Sequence, residues 1–502
     1  MVVAVAALAA VVSSSAQAQP ALVGTAFSLK APGGPFVAKA AAFACEAPTA
    51  TLHCNTPQDI RDAYGVTALG NQGLLGQGQT IVLVDSYGSP TAAQDLQHFH
   101  DVFFSTLPSP NFTQVFPQGK PNYNNSNGNG QSGPAAAAGW SGEATLDIEW
   151  AYAIAPLAHI VLIAVPPAET EGVQGLPNLF NAISQQIDAN PPGTVFSMSF
   201  GITEQTFGGA AQPQTARFDA VFQKGIAKGD TFFASSGDSG TLGVAKQHRD
   251  SATYSYPTVG WPASSPYVTA VGGTQLQRNW RWDPLSDIPF LSDGSFNPSY
   301  FNSTAASSPL NVVWNESWLP AATGGGPSAI YPRPSWQTGV LPQQGNHRLV
   351  PDVAWDAAVN GGVLVYISAY PNYNGPPGFY IYGGTSAASP QVAALTALAV
   401  QKAGHGLGNV NPAIYAHPAA FTDVVPIHQG APNVISGDLT SNRMFDYNGD
   451  GLPVTWDPVP GWAVNPCTDT SISGCDPSTP YDMTTGWGTP NAPAYVAALT
   501  GH

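Results

Sequence analysis

Apolar runs with the length of buried strands alternate with helical segments through the first half of the chain. The strand-like runs are rich in Val, Ile, Phe and Ala, and turn residues bound each of them. We predict these strands at 80–85, 159–165, 194–201 and 231–234, with helices at 90–103, 141–155, 176–189 and 218–228. This alternation predicts an α/β fold with a mostly parallel central sheet flanked by helices. In such sheets a ligand binds beyond the carboxyl ends of the strands.

The composition excludes some classes of partner. Of the 502 residues 43% are hydrophobic, which is ample for a core, and only 9% are charged against a usual share of about 25%. The formal net charge of −16 argues against binding to nucleic acid or to an anionic membrane surface. A chain with few ion pairs to lose can also stay folded in acid, where its carboxylates become protonated.

The N-terminal region has the features of an exported protein. Residues 1–18 form a short apolar stretch with a small-residue cleavage pattern, which predicts a secretory signal peptide and an extracellular protein. Residues 19–55 are rich in Ala and Pro, so we interpret them as a linker or remnant pro-segment, with ordered structure beginning near Pro57. The four cysteines form two local pairs, Cys45 with Cys54 and Cys467 with Cys475, of which disulfides are the simplest interpretation. Residues 56–502 are then one domain.

One serine stands between a strand-like run and a helix. The run at 379–382 is followed by Gly383 and Gly384, then by Ser386 and a helical segment at 388–402. A helix start leaves backbone N–H groups unpaired and carries a partial positive charge, which favours an oxyanion. A hydroxyl at this position is suited to attack a carbonyl group. Taken alone, the motif also fits an ordinary Ser/Thr helix cap.

Two carboxyl groups share one face of the helix predicted at 141–155. Glu143 and Asp147 are four residues apart, so their side chains lie one turn from each other. In a buried cleft they would share a proton, which leaves one carboxylate basic enough to take the proton of a serine. Taken alone, the same spacing also fits a pair on a solvated helix surface.

Several motifs, in their order along the chain, resemble those of the sedolisin family of serine-carboxyl peptidases. The main ones are Ser-Gly-Glu-Ala-Thr-Leu-Asp-Ile-Glu from Ser141, Ser-Ser-Gly-Asp-Ser-Gly from Ser235 and Gly-Thr-Ser-Ala-Ala-Ser-Pro from Gly384. Further similar segments lie at 56–64, 270–274, 351–354 and 486–491. The resemblance covers about residues 56 to 500 and implies a subtilisin-like α/β fold.

The resemblance also assigns roles to individual residues. It implies that Ser386 is the nucleophile, Glu143 its general base and acid, and Asp147 the carboxylate that orients Glu143. Asp238 matches the residue that donates a hydrogen bond to the oxyanion, so it must be protonated at the working pH, and we expect an acidic optimum. Ser199 and Gly201 belong to a segment that resembles the strand binding the extended substrate; sheet core is the other interpretation.

Calcium is the cofactor that the resemblance implies. Its matching positions are Asp423, Val424 and Asp482, with Ser478 and Pro480 replacing glycines that precede the second aspartate. A second loop resembles an EF-hand, although its last ligand is Asp rather than Glu, and an Asn/Asp/Gly turn is the other interpretation. Its ligand positions are Asp446, Asn448, Asp450 and Asp457.

Two other functions fit parts of the pattern. A subtilisin-type peptidase would use Asp85, which ends a strand where a triad aspartate would lie, but none of the ten histidines has the required His-Gly-x-His context. We therefore interpret Asp85 as a structural or cleft-lining residue. A non-catalytic binding protein on a peptidase fold is the second alternative. We expect protein or peptide substrates, no nucleic acid or membrane partner, and a monomer.

Overall fold

The structure is a computed structural model of the chain. It describes residues 28–30, 43–123, 134–166, 172–240, 258–282, 301–316, 321–341, 345–368, 377–424 and 481–501. Within these residues the core of the fold is one eight-stranded sheet with helices on both faces. This architecture confirms the predicted α/β fold.

The strands of the main sheet are β1 Thr80–Ser86, β2 Asn111–Val115, β3 His159–Val165, β4 Val195–Met198, β5 Thr231–Ser235, β6 Thr269–Gln277, β7 Leu310–Val313 and β8 Val353–Asp356. Their order is β7-β6-β5-β4-β1-β3-β2, and β8 also pairs with β6. Every pairing is parallel except that of β6 with β7. Because parallel neighbours require crossover connections, most strands are joined through helices.

The α-helices are α1 Pro57–Ala63, α2 Val66–Gly70, α3 Ala92–Phe103, α4 Pro134–Ile154, α5 Gly172–Ala189, α6 Ala211–Ala227, α7 Thr385–Ala403, α8 Asn411–Ala416 and α9 Ala492–Thr500. The short 3₁₀ helices are Ala44–Glu46, Glu204–Ala210, Ser335–Gln337 and Pro418–Ala420. None of the helices in the described part of the chain combines the length and hydropathy that crossing a bilayer requires.

The two faces of the sheet bury separate hydrophobic clusters. Along β1, Ile81 and Leu83 point to one cluster, whereas Val82 and Val84 point to the other. The first cluster packs against α4, α7 and α9, and the second packs against α5 and α6. Alternate side chains of a strand point to opposite faces, so a sheet covered on both sides needs strands that are apolar throughout.

A smaller sheet leads into the Gly383–Gly384 turn. Its strands, in spatial order, are Ser28–Lys30, Gly378–Tyr382, Gly362–Ile367 and Cys54–Asn55. Other short pairs join Ile202–Thr203 with Gly260–Trp261, Trp280–Trp282 with Ser303–Ala305, Asn315–Glu316 with Ala321–Ala322, Gly326–Pro332 with His347–Val350, and Phe421–Thr422 with Thr489–Pro490.

Ordered structure begins before Pro57, contrary to the sequence-based expectation. Phe43, Leu52 and His53 are buried, and the predicted disulfide between Cys45 and Cys54 is formed. The segment lacks a regular hydrophobic period because its buried side chains come from turns and from a two-residue strand. The predicted signal peptide and the Cys467–Cys475 pair lie outside the described residues.

Candidate active site

Helix α7 begins at the carboxyl edge of the main sheet and carries Ser386 in its first turn. The helix follows the strand Gly378–Tyr382 through Gly383 and Gly384. A Cβ on Gly383 would lie only 2.6 Å from the Ala357 carbonyl oxygen, and Gly384 has φ +106°, so both positions require glycine. The helix is buried from Thr385 to Val400, and Ser386 is 4% exposed. The predicted strand-to-helix junction at the serine is confirmed.

Helix α4 brings the predicted carboxyl pair into the interior. Glu143 and Asp147 are both fully buried, and α4 packs against α7. The surface interpretation of this pair is therefore wrong, because the helix is covered on nearly all sides from Ala137 onward.

Ser199 connects the carboxyl pair to the serine. Its hydroxyl group donates to Asp147 Oδ1 at 2.9 Å and lies 3.4 Å from the carbonyl oxygen of Ser386. Ser199 directly follows β4 and is itself fully buried. A second hydroxyl contact, 2.9 Å between Ser197 and Ser389, joins β4 to α7. The end of β4 thus fixes α4 and α7 relative to each other at the site.

A third carboxyl group, Asp85, belongs to the same cluster. It lies near the end of β1, next to β4 in the sheet, and is fully buried. Burial raises the pKa of Asp85 well above its ordinary range. Burial also raises the pKa of Asp147 strongly, and the charges of Asp85 and Glu143 raise it further, while the Ser199 hydrogen bond lowers it. We call Asp85, Glu143 and Asp147 the carboxyl cluster.

Asp238 lies on the other side of the α7 terminus. It follows β5, and its Oδ1 accepts hydrogen bonds from the backbone N–H and the hydroxyl of Thr385, each at 2.7 Å. Burial raises the pKa of Asp238 to about 6, although both Thr385 hydrogen bonds lower it. An aspartate with this pKa is protonated in moderate acid.

A groove open to solvent adjoins Asp238. Its walls are the short strand pair of Ile202–Thr203 and Gly260–Trp261 and the turn after β5. Gly201, predicted to bind substrate, lines this groove, whereas Ser199 lies beneath it in the interior. Asp238 is the one titratable side chain among the described groove residues.

The described part of the calcium region is compact. Asp482 is buried, and its Oδ1 accepts from the backbone N–H groups of Thr484 and Thr485 at 2.6 and 2.7 Å. Its Oδ2 accepts from the Thr485 hydroxyl at 3.1 Å, which leaves that oxygen room for a cation. Asp423 is exposed, but a Cβ on Gly488 would lie 3.0 Å from its Cα, so both aspartates border the 486–488 turn.

The described residues supply only part of a calcium ligand set. Asp423, Val424 and Asp482 fit an oxygen-ligand site, but calcium requires six to eight oxygens. Among the described residues no group of three or more His, Cys, Asp or Glu side chains could hold a metal. Ser478 and Pro480, and the second loop with Asp446, Asn448, Asp450 and Asp457, lie outside the described residues.

Sequence reasoning underestimated two residues of the site. Asp85 was interpreted as structural or cleft-lining, yet its charge acts directly on Asp147. The available signal was a carboxylate at the end of an otherwise apolar strand. Thr385 appeared only as the neighbour of Ser386, and its contact with Asp238 spans 147 positions of the sequence. No local pattern could have shown that contact.

A mostly parallel sheet with a serine at the start of a buried helix is the arrangement of the subtilisin-like class of α/β proteins, and comparison with known proteins agrees with that class. The family model described as the subtilase family matches residues 123–419, and curated relatives add detail. Kumamolisin from Bacillus sp. (strain MN-32) is 30% identical over 414 residues, which cover 81% of this chain and 61% of kumamolisin. Sedolisin from Pseudomonas sp. (strain 101) is 30% identical over 312 residues, which cover 60% of this chain and 43% of sedolisin.

A solved structure agrees in fold. Pseudomonas sedolisin, in complex with two molecules of pseudo-iodotyrostatin, superposes with a TM-score of 0.57 and 24% identity, over 90% of this chain and all of that one. The chain therefore belongs to the subtilase family, within its sedolisin group. It spans less than two thirds of the length of the kumamolisin and sedolisin that it matches.

Proposed function

We propose that this protein is a serine-type peptidase that hydrolyses peptide bonds of proteins in acid through an acyl-enzyme on Ser386. The observation that carries the proposal is the contact of the Ser199 hydroxyl with both Asp147 Oδ1 and the Ser386 carbonyl oxygen. It links a buried carboxyl pair to a serine at a helix N-terminus. Family membership supports the same reaction, since kumamolisin and sedolisin are relatives.

The proposed reaction moves one proton twice. Ser386 Oγ forms a bond to the peptide carbonyl carbon while its proton passes to Glu143, whose basicity Asp147 supports. The C–N bond then breaks as Glu143 returns the proton to the leaving amine. Water repeats the sequence on the acyl-enzyme and releases Ser386. Asp238, when protonated, donates a hydrogen bond to the oxyanion in each half of the reaction.

The proposed acid optimum follows from Asp238. Its pKa, raised by burial to about 6, means that the fraction able to donate falls as pH rises through that value. The rate should therefore decline above about pH 6. Extended peptides would bind along Gly201, with one side chain in the groove, whose described lining contains no charged group other than Asp238 when ionised.

The test is cleavage of an acid-denatured protein across pH 3 to 8. The wild-type chain should cleave best in acid, and Ser386→Ala should reduce cleavage to background. Ser335→Ala, at an exposed serine outside α7, is the matched control and should keep most of the activity. A binding protein would show no cleavage with any variant. A subtilisin-type enzyme would work near neutral pH and tolerate Glu143→Gln.

We further propose that the protein is extracellular and that it binds calcium at Asp423, Val424 and Asp482 with backbone oxygens of the 478–480 segment. The Cys45–Cys54 disulfide supports an oxidising location. Asp482 Oδ2 supports the calcium site, because among the described residues it accepts one hydrogen bond only, from the Thr485 hydroxyl. Bound calcium would hold the 482–488 turn against the strand Phe421–Thr422, and it takes no part in the peptide-bond chemistry proposed above. Mass spectrometry of the culture medium would detect export.

A further inference from the structure

Thr385 makes an unusual double contact with the carboxyl group of Asp238. Its backbone N–H and its hydroxyl group both donate to Asp238 Oδ1, each at 2.7 Å. Within the described residues these are the hydrogen bonds of that carboxyl group, and none of them reaches Oδ2. Asp238 is 6% exposed and lines the groove, so Oδ2 is the oxygen left for a bound substrate.

The direction of the Thr385 hydroxyl group is fixed by a second contact. The backbone N–H of Gly237 donates to Thr385 Oγ1 at 3.1 Å and occupies one of its lone pairs. Among the described residues, the remaining polar contact of this hydroxyl is Asp238 Oδ1. The hydroxyl proton therefore points at Oδ1, and Thr385 acts as a donor to that atom rather than as an acceptor.

Two donors on one carboxyl oxygen determine where a neutral Asp238 carries its proton. A proton on Oδ1 would leave the Thr385 hydroxyl without an acceptor, and it would compete for the same lone pairs as the two donors. On Oδ2 the proton meets neither donor, and Asp238 is a residue of the groove lining.

We propose that Thr385 is a positioning residue that confines the proton of Asp238 to Oδ2, where it can be donated to a substrate oxyanion. This inference rests on the proposed peptidase function and deepens it. It gives the residue before the nucleophile a role distinct from capping the helix. In α7 the Thr385 hydroxyl points away from the helix, toward the turn that follows β5.

The same contact sets the direction of a pH effect. A hydrogen bond donated to a carboxylate stabilises its charged form and lowers its pKa. Removing the Thr385 hydroxyl should therefore raise the pKa of Asp238 above about 6 while making its proton less well placed. No charge of another described residue contributes to that pKa, and the other titratable groups around Ser386 are those of the carboxyl cluster.

The experiment compares Thr385→Val, which keeps the shape, with Thr385→Ser, which keeps the hydroxyl group. At pH below 5 the valine variant should lose about tenfold in kcat with little change in KM, part of what a lost oxyanion donor costs. The serine variant should stay within about threefold of wild type. The pKa of Asp238, measured by ¹³C NMR of labelled carboxyls in a Ser386→Ala background, should rise with valine and stay unchanged with serine.

Several outcomes would overturn the proposal. They are an unchanged or lowered pKa of Asp238 in the valine variant, or an unchanged kcat despite a raised pKa. If Thr385→Val does not fold, Thr385→Ala takes its place, and failure of both to fold would show that the hydroxyl serves folding instead. If wild type cleaves nothing at any pH, the peptidase proposal fails, but the NMR titration still decides whether Thr385 controls Asp238.

Discussion

Two sets of buried carboxyl groups in this protein differ in how well their oxygens are satisfied. Among the described residues, neither oxygen of Asp85 accepts a hydrogen bond, and Oδ2 of Asp147 accepts none. In contrast, Asp352 accepts from Arg348 at 2.5 Å, from Tyr415 at 2.8 Å and from the Ala270 N–H at 2.8 Å. We call Arg348, Asp352 and Tyr415 the buried ion-pair network.

This difference indicates that the carboxyl cluster serves the proposed reaction, whereas the ion-pair network stabilises the fold. An unsatisfied buried carboxyl retains its proton, because ionisation without donors in a dry site is costly. Asp85 and Asp147 therefore keep their protons in the folded state, at some expense of stability. In the ion-pair network, burial alone would lower the pKa of Arg348, but the charge of Asp352 raises it above its usual range. Asp352 of that network and the neighbouring β8 hold the 486–488 turn, and none of the three residues is among the described residues of the groove lining.

The largest expected effect is that of Asp147→Asn. The amide cannot take or hold the proton that supports Glu143, so kcat/KM should fall about 10²- to 10⁴-fold. Stability should not fall, since the folded-state pKa of Asp147 lies well above 3.8. Such a group favours folding below about pH 4 and loses that contribution as pH rises toward its folded pKa. The Tm of the variant relative to wild type should therefore increase between pH 3 and pH 7.

Both quantities are measured on the same preparations, kcat/KM with a peptide substrate and Tm by scanning calorimetry. Asp188→Asn is the matched control, because Asp188 is exposed and only pairs with Lys224 on the surface. It should change neither quantity appreciably. An active Asp147→Asn variant would contradict the proposed role of Asp147 in supporting Glu143. A Tm that decreases with pH relative to wild type would contradict the raised pKa of Asp147.

The opposite pattern is expected for Asp352→Asn. Removing the anion leaves the Arg348 guanidinium buried without a counter-charge, which should cost about 3 to 5 kcal/mol of stability. Activity below the melting transition should remain within a few-fold of wild type. The double variant Arg348→Met with Asp352→Asn removes both charges and should recover part of the loss. If Asp352→Asn alone keeps its Tm but loses kcat, the ion-pair network serves catalysis and does not differ in role from the carboxyl cluster.

The sequence predicted that Glu143 and Asp147 lie together on one helix face, but it did not predict what surrounds them. Glu143 and Asp147 could be identified from the sequence because helical spacing is a local pattern. The serine at the start of α7 could be identified for the same reason. Asp85 meets Asp147 only through the packing of α4 over β1. The strand Asn111–Val115 is not among the predicted strands, because it is a partly exposed edge strand without an apolar pattern. Tertiary contacts of this kind leave no periodic signal.

The smallest expected effect is that of calcium removal, which should act on the ion-pair network and not on the carboxyl cluster. Asp482 and Gly486 are joined by two backbone hydrogen bonds, and the Trp487 N–H donates to the Asp352 carbonyl oxygen. A ligand present at 100 times its Kd stabilises the folded state by about 2.7 kcal/mol. A chelator should remove this stabilisation and lower Tm correspondingly. Asp482→Asn should have a lower Tm that no longer responds to chelator. If chelation leaves Tm unchanged but abolishes kcat, calcium acts on the carboxyl cluster and not on the ion-pair network. The separation of the two regions into a catalytic and a structural one is then wrong.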